Sequence, residues 1–257
     1  CRDNLSIDDP HTSLEELERY QKVGGKTIVD VSPPGLGRDV RVLEWLSENS
    51  GLNVIAGCGY YIKDTHPPGM SERSVDSIAE EMILELTAGI DETGIVAGVI
   101  GEIGMATSPM DPDEKKVLEA AAVAQQETNV AIVTHTAPGV ESAFEVNRIL
   151  AESGADMSRV VHSHVDERYR TDLDPYRELA STGAVLSMDT FGRDIYYASR
   201  GKQHPSDEVR VEAVCALIED GLIDHLLLAQ DICMKHELRS YGGQGYDHVI
   251  RSIIPRL

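Results

Sequence analysis

Residues 96–104 read Val-Ala-Gly-Val-Ile-Gly-Glu-Ile-Gly, a short apolar run that carries one carboxylate, Glu102, near its end. The form recurs downstream. Residues 131–135, Ala-Ile-Val-Thr-His, end on His135; 160–164, Val-Val-His-Ser-His, end on His164; 226–231, Leu-Leu-Leu-Ala-Gln-Asp, end on Asp231. Runs this short and this rich in Val, Ile and Leu are those of strands buried on both faces of a parallel sheet. The set of expected strands is 26–31, 53–58, 96–103, 131–136, 160–165, 184–188 and 225–230. Between them the spacing is helical. Val75, Ile78, Met82, Ile83, Leu86 and Ile90 recur three and four apart across 71–90. Asp111-Pro112 supplies an N-cap followed by proline at the first helical position, and Ser13-Leu-Glu-Glu has the form of a capping box. Segments 141–152, 174–181 and 206–220 continue the series. Strand and helix in alternation predict a parallel α/β fold. The expected architecture is a (β/α)8 TIM barrel whose first strand and last helix fall outside this stretch. A doubly wound open sheet is the alternative, but no Gly-rich phosphate loop follows an early strand.

The chain has 257 residues and no Pro/Gly/Ser-rich linker, which suits a single domain over 1–257. Its 23 basic and 44 acidic residues leave a formal charge of −21, which repels phosphate backbones and anionic lipid. Nucleic acid and membrane surfaces are therefore excluded as partners. A small-molecule substrate is expected, with a homodimer as the one macromolecular association. Cys1, Cys58, Cys215 and Cys233 show no Cys-x-x-Cys spacing, so reduced and mostly buried thiols in a cytoplasmic protein are expected.

In a parallel barrel the carboxyl ends of all strands open onto one mouth, where such enzymes keep their chemistry. Glu102, His135, His164 and Asp231 would meet there, and together they make a donor set for a divalent metal. Each has an ordinary reading when taken alone: Glu102 as half of an ion pair, His135 as a hydrogen-bonded core histidine, Asp231 as a cap. Recurrence at the same end of four strands favours convergence. His162 and His164 are two apart and so are expected on one face, His162 deeper and His164 at the mouth, with Asp166 orienting His164 from behind. His11, His66, His204 and His225 are expected in solvent; His236 and His248, in the stretch after the last strand, are candidates to line a pocket or else ordinary loop residues. The loops 32–38, 63–70, 191–205 and 232–245 carry Arg38, Arg193, Arg200, Lys202, Lys235 and Arg239, either as holders of a substrate anion or as solvated surface charges.

Several motifs in order are familiar: Thr-Ile-Val-Asp-Val-Ser (27–32) with Gly-Arg-Asp (37–39), Gly-Cys-Gly-Tyr-Tyr (57–61), Gly-Glu-Ile-Gly (101–104), Thr-His-Thr (134–136), Ser-His-Val-Asp (163–166), Gln-Asp-Ile (230–232) and Gly-Gly-Gln-Gly-Tyr-Asp-His (242–248). Together they resemble the phosphotriesterase family of the amidohydrolase superfamily, and within it the phosphotriesterase homology, or phosphotriesterase-related, branch. The resemblance implies a distorted (β/α)8 barrel and a hydrolase with two divalent metals, usually zinc, acting through a metal-activated hydroxide. The bond would be an ester, lactone or amide carbonyl, or a phosphoester. It further implies that Glu102 bridges the metals, that His135 and His164 hold the more exposed one, and that Asp231 binds the buried one and handles protons. Tyr61 matches a tyrosine near the hydroxide in lactonase relatives. The family's His-x-His pair has no counterpart upstream of Lys26, and it is expected to precede Cys1. The rival reading is a metal-free or single-metal binding protein on the same barrel.

Overall fold

Every strand expected from the sequence forms. The computed structural model describes residues 2–137, 140–166, 172–197 and 201–257. Its main sheet contains β1 (Thr27–Asp30), β2 (Asn53–Cys58), β3 (Val99–Gly104), β4 (Ile132–His135), β5 (Val160–His162), β6 (Val185–Met188) and β9 (Leu226–Leu228). All neighbours run parallel, in the order β1-β2-β3-β4-β5-β6-β9. Within this sheet each strand thus lies beside the sheet strand that precedes it in the chain. That is the winding of a barrel; a doubly wound sheet reverses at a switch point. Two strands had no counterpart in the sequence reading: β7 (Tyr196–Tyr197) and β8 (Lys202–Gln203) pair antiparallel inside the loop after β6, over two residues each.

The intervening helices are α1 (Pro10–Lys22), α2 (Val40–Ser50), α3 (Val75–Thr87), α4 (Pro112–Thr128), α5 (Val140–Glu152), α6 (Asp174–Ser181) and α7 (Asp207–Glu219). Asp111 caps α4 as expected, accepting from the Asp113 amide at 2.9 Å. The cap of α1 is Asp9 rather than Ser13: Pro10 sets the first turn, the Asp9 carboxylate accepts from the His11 amide at 3.0 Å, and Ser13 lies inside the helix. The last stretch does not extend a regular helix. Val249–Ile253 forms one wide π-type turn, and Pro255 sits in the tight turn Ile254–Arg256 that follows.

Two of the three apolar clusters among the described residues join α3–α7 to the sheet. One joins α3, α4 and α5 to the middle strands through Ile78, Met82, Leu118, Ile132 and Leu150; the other joins α6 and α7 to β6 through Tyr176, Leu179, Leu186 and Leu217. Ala120, Ala121, Ala122 and Ala124 are fully buried, so α4 presents a narrow waist on which its neighbours pack. Among the described residues no helix is long and apolar enough to cross a membrane. Cys58 is buried and its thiol is pushed up to about 12, chiefly by that burial. Cys215 is half-buried and Cys233 is exposed in the loop after β9, so burial holds for only part of the set. Cys1 lies outside the described residues.

Candidate metal centre

Two glycines bring the neighbours of Glu102 close. A Cβ on Gly101, whose φ is +150°, would stand 2.5 Å from the Val133 carbonyl oxygen; one on Gly104 would stand 2.6 Å from the Ile62 amide nitrogen. Without side chains there, β4 lies against β3 on one side and the segment carrying Tyr61 on the other. His135 ends β4 directly opposite Gly104. His164 arrives by a different route. β5 stops at His162, and His164 adopts a left-handed backbone with φ +61°, which turns its imidazole toward the mouth.

These three side chains meet. His164 Nε2 lies 2.8 Å from His135 Nδ1 and 3.2 Å from Glu102 Oε1, and His135 Nδ1 lies 3.5 Å from Glu102 Oε2. One ligand atom from each falls within 4.8 Å of the other two. Burial opposes ionisation of Glu102, but hydrogen bonds from His135 and His164 prevail and lower its pKa. Burial likewise opposes charge on His164, and there Asp189 and Glu102 prevail, raising its pKa well above the ordinary value. Two carboxylates thus draw positive charge to one buried point flanked by imidazole nitrogens. A divalent cation satisfies that demand, and the oxygen and nitrogen donors fit the zinc class.

Asp189 is the site residue that sequence reading passed over. Its Oδ1 accepts from the His164 amide at 3.0 Å and lies 2.8 Å from His164 Nδ1, which leaves Nε2 facing Glu102 and His135. The orienting role expected of Asp166 therefore belongs to Asp189. Asp166 is fully buried behind it, accepting from the Asp189 and Thr190 amides and pairing with Arg210 Nε at 2.9 Å. Arg210 is also fully buried, so its loss would strand the Asp166 charge. Arg210→Met should cost about 3–5 kcal/mol of stability, and adding Asp166→Leu should recover most of it, as read by urea unfolding.

His162 does not lie beneath His164. Its neighbour in register is Thr134, whose hydroxyl is 3.1 Å from Nδ1, and Nε2 meets Asn147 of α5 at 3.2 Å. The ring faces the helices, because two-residue alternation ended with the strand. Burial lowers its pKa to about 4.

Asp231 stands at the edge of the triad. Its Oδ2 is 4.0 Å from His164 Nδ1 and 2.8 Å from Arg193 Nη1, and its backbone, like that of His164, is left-handed with φ +47°. Burial, with Glu102 and Asp189 nearby, pushes its carboxyl up to about 7. Tyr61 packs edge-on to His135 with its hydroxyl 3.0 Å from Nε2. Burial, then the Glu102 charge, raises the phenol's pKa, so it remains a donor.

Among the described residues, the loop cations singled out in the sequence are paired with carboxylates, and only Arg239 of them is exposed. Arg38 is buried in a two-pronged pair with Glu85 at 2.6 and 2.7 Å. Arg193 holds Asp231 and Glu237, Lys235 bridges Asp3 and Asp8, and Arg239 pairs with Asp247. Arg200 and the side chain of Lys202 lie outside the described residues. Among the histidines expected in solvent only His11 is exposed. His66 bonds the Tyr61 carbonyl, His225 bonds the Ala184 carbonyl, and His204 is buried. His236 meets Asn4, and His248 pairs with Asp207 at 2.6 Å.

The model of the phosphotriesterase family matches residues 7–257. The chain is 38% identical over 259 residues to the N-acetyltaurine hydrolase of Mus musculus, covering 100% of this chain and 74% of that protein. It is similar to the crystal structure of a resiniferatoxin-binding protein from Rhodobacter sphaeroides, with a TM-score of 0.95 and 36% identity over 99% of this chain and 70% of that one. The phosphotriesterase homology protein from Escherichia coli, solved with phosphate in its active site, gives a TM-score of 0.90 and 31% identity over 98% and 83%. With sequence and fold similarity both running through nearly its whole length, the chain belongs to the phosphotriesterase family of divalent-metal-dependent hydrolases.

Proposed function

We propose that this single barrel domain, residues 1–257, hydrolyses a small carboxylic amide, ester or lactone. Convergence of Glu102, His135 and His164 carries the reading. When bound, a divalent metal polarises the substrate's carbonyl oxygen and lowers the pKa of water toward neutrality. Zinc is the proposed metal and two ions the proposed number: Glu102, His135 and His164 would hold one, and Asp231 would help to hold the second.

The chain's own residues then divide the work. Asp189 fixes the tautomer and direction of His164 through Nδ1. Asp231, at the edge of the triad, takes the proton of the attacking water. Arg193 holds Asp231 in place through Oδ2. Tyr61 offers its hydroxyl beside His135, where oxygen gains negative charge. The amide form of the reading is supported by the mouse relative, whose name specifies N-acetyltaurine.

The test is a panel of N-acetyltaurine, a γ-lactone, a 4-nitrophenyl ester and a phosphotriester, assayed with zinc-loaded protein before and after chelation. Turnover of a carbonyl substrate that chelation removes and zinc restores is expected. Turnover of the phosphotriester alone would move the reading to phosphoryl chemistry. No turnover, with no metal retained, would favour a binding protein on the same barrel.

A further inference from the structure

The loop that follows Asp231 is tied down by residues from before the first strand. Glu16 of α1 is fully buried although it is a carboxylate. It accepts from the Arg239 amide at 3.1 Å, the Ser240 amide at 3.0 Å and the Ser240 hydroxyl at 2.8 Å. Arg19 supplies its counter-charge from the same helix. Asn4 reaches the next turn of the loop, accepting from the His236 amide at 3.0 Å and meeting His236 Nδ1 at 2.9 Å. Lys235 Nζ lies 3.0 Å from Asp3 and 3.1 Å from Asp8.

The inner side of that loop is built on Glu237. One of its oxygens holds Arg193 at 2.7 Å and the other accepts from the Cys233 and Met234 amides, while its carbonyl receives the Gly245 amide. Arg193 in turn holds Asp231. The loop is thus clamped between the metal-site side and the amino-terminal segment.

We propose that Glu16 and Asn4 are positioning residues. They latch the 232–245 loop over the mouth and so set how tightly substrate is held. This rests on the hydrolase reading for its kinetic consequence and on contacts alone for the latch itself. Arg193 is buried and keeps its own grip on Asp231, so loosening the outer clamp should disturb binding more than chemistry.

The experiment compares Glu16→Gln and Asn4→Ala with the parent. Amide hydrogen exchange is followed across 232–245, zinc content is measured, and kcat and KM are determined for whichever panel substrate the parent cleaves. Faster exchange confined to the loop is expected. KM should rise about tenfold in Glu16→Gln, the loss of a charged acceptor's hydrogen bonds, with kcat within about twofold and zinc unchanged. Asn4→Ala, at a half-buried site, should fold normally and move both readouts in the same direction by less. Unchanged loop exchange in both variants would overturn the latch. Faster exchange with an unchanged KM would overturn its role in substrate binding. If the parent cleaves no panel substrate, the hydrolase reading fails, and the exchange result decides the latch by itself.

Discussion

Glu102→Gln is expected to lose its divalent metal and its turnover together while the fold survives. The substitution preserves shape and removes the charge that two imidazoles now balance, with His164 Nε2 3.2 Å from Oε1 and His135 Nδ1 3.5 Å from Oε2. A neutral amide leaves those rings without a counter-charge and offers a cation a weak oxygen donor. Metal chemistry supplies several kcal/mol of the barrier reduction, and each 1.4 kcal/mol is tenfold, so turnover should fall by about three orders of magnitude or more. Metal analysis, kcat and a urea unfolding curve on one preparation separate the cases. If Glu102 serves only as half of an ion pair, stability drops and bound metal stays.

Asp231→Asn should lower kcat by about two orders of magnitude or more and leave the ion between His135 and His164 largely in place, since general acid–base groups contribute about 10² to 10⁴ in rate. The asparagine keeps an oxygen for Arg193 to grip but cannot accept a proton. Asp231 lies at the edge of the triad, 4.0 Å from His164 Nδ1, which is why metal retention and rate loss should part company in this variant. Kinetics with metal measured in parallel checks it. Near-normal turnover would remove Asp231 from the proton's path.

The strands were legible because a strand buried on both faces must be a continuous apolar run, and the site residues stood out as polar endings to those runs. The same mark sits on Asp189, directly after Val185–Met188, but an aspartate before Thr-Phe-Gly reads equally well as a turn residue, and only the fold shows it gripping His164. His162 is buried and hydrogen-bonded as expected, and only its face was misjudged, for a geometric reason: alternation predicts faces only within a strand, and β5 ends before His164. The buried pairing of Arg38 stayed hidden for a topological one. Arg38 and Glu85 are far apart in sequence, and nothing local in either announces a bidentate pair. Ser13 was outcompeted as a cap by an earlier Asp-Pro, a contest between two valid signals that only the backbone decides.

Anomalous diffraction at the zinc edge, from crystals grown with zinc, tests the central claim most directly. The account predicts a peak about 2.0–2.2 Å from a nitrogen of His135, a nitrogen of His164 and a carboxylate oxygen of Glu102. A zinc peak elsewhere on the molecule, with Glu102 still hydrogen-bonded to both imidazoles, would contradict it.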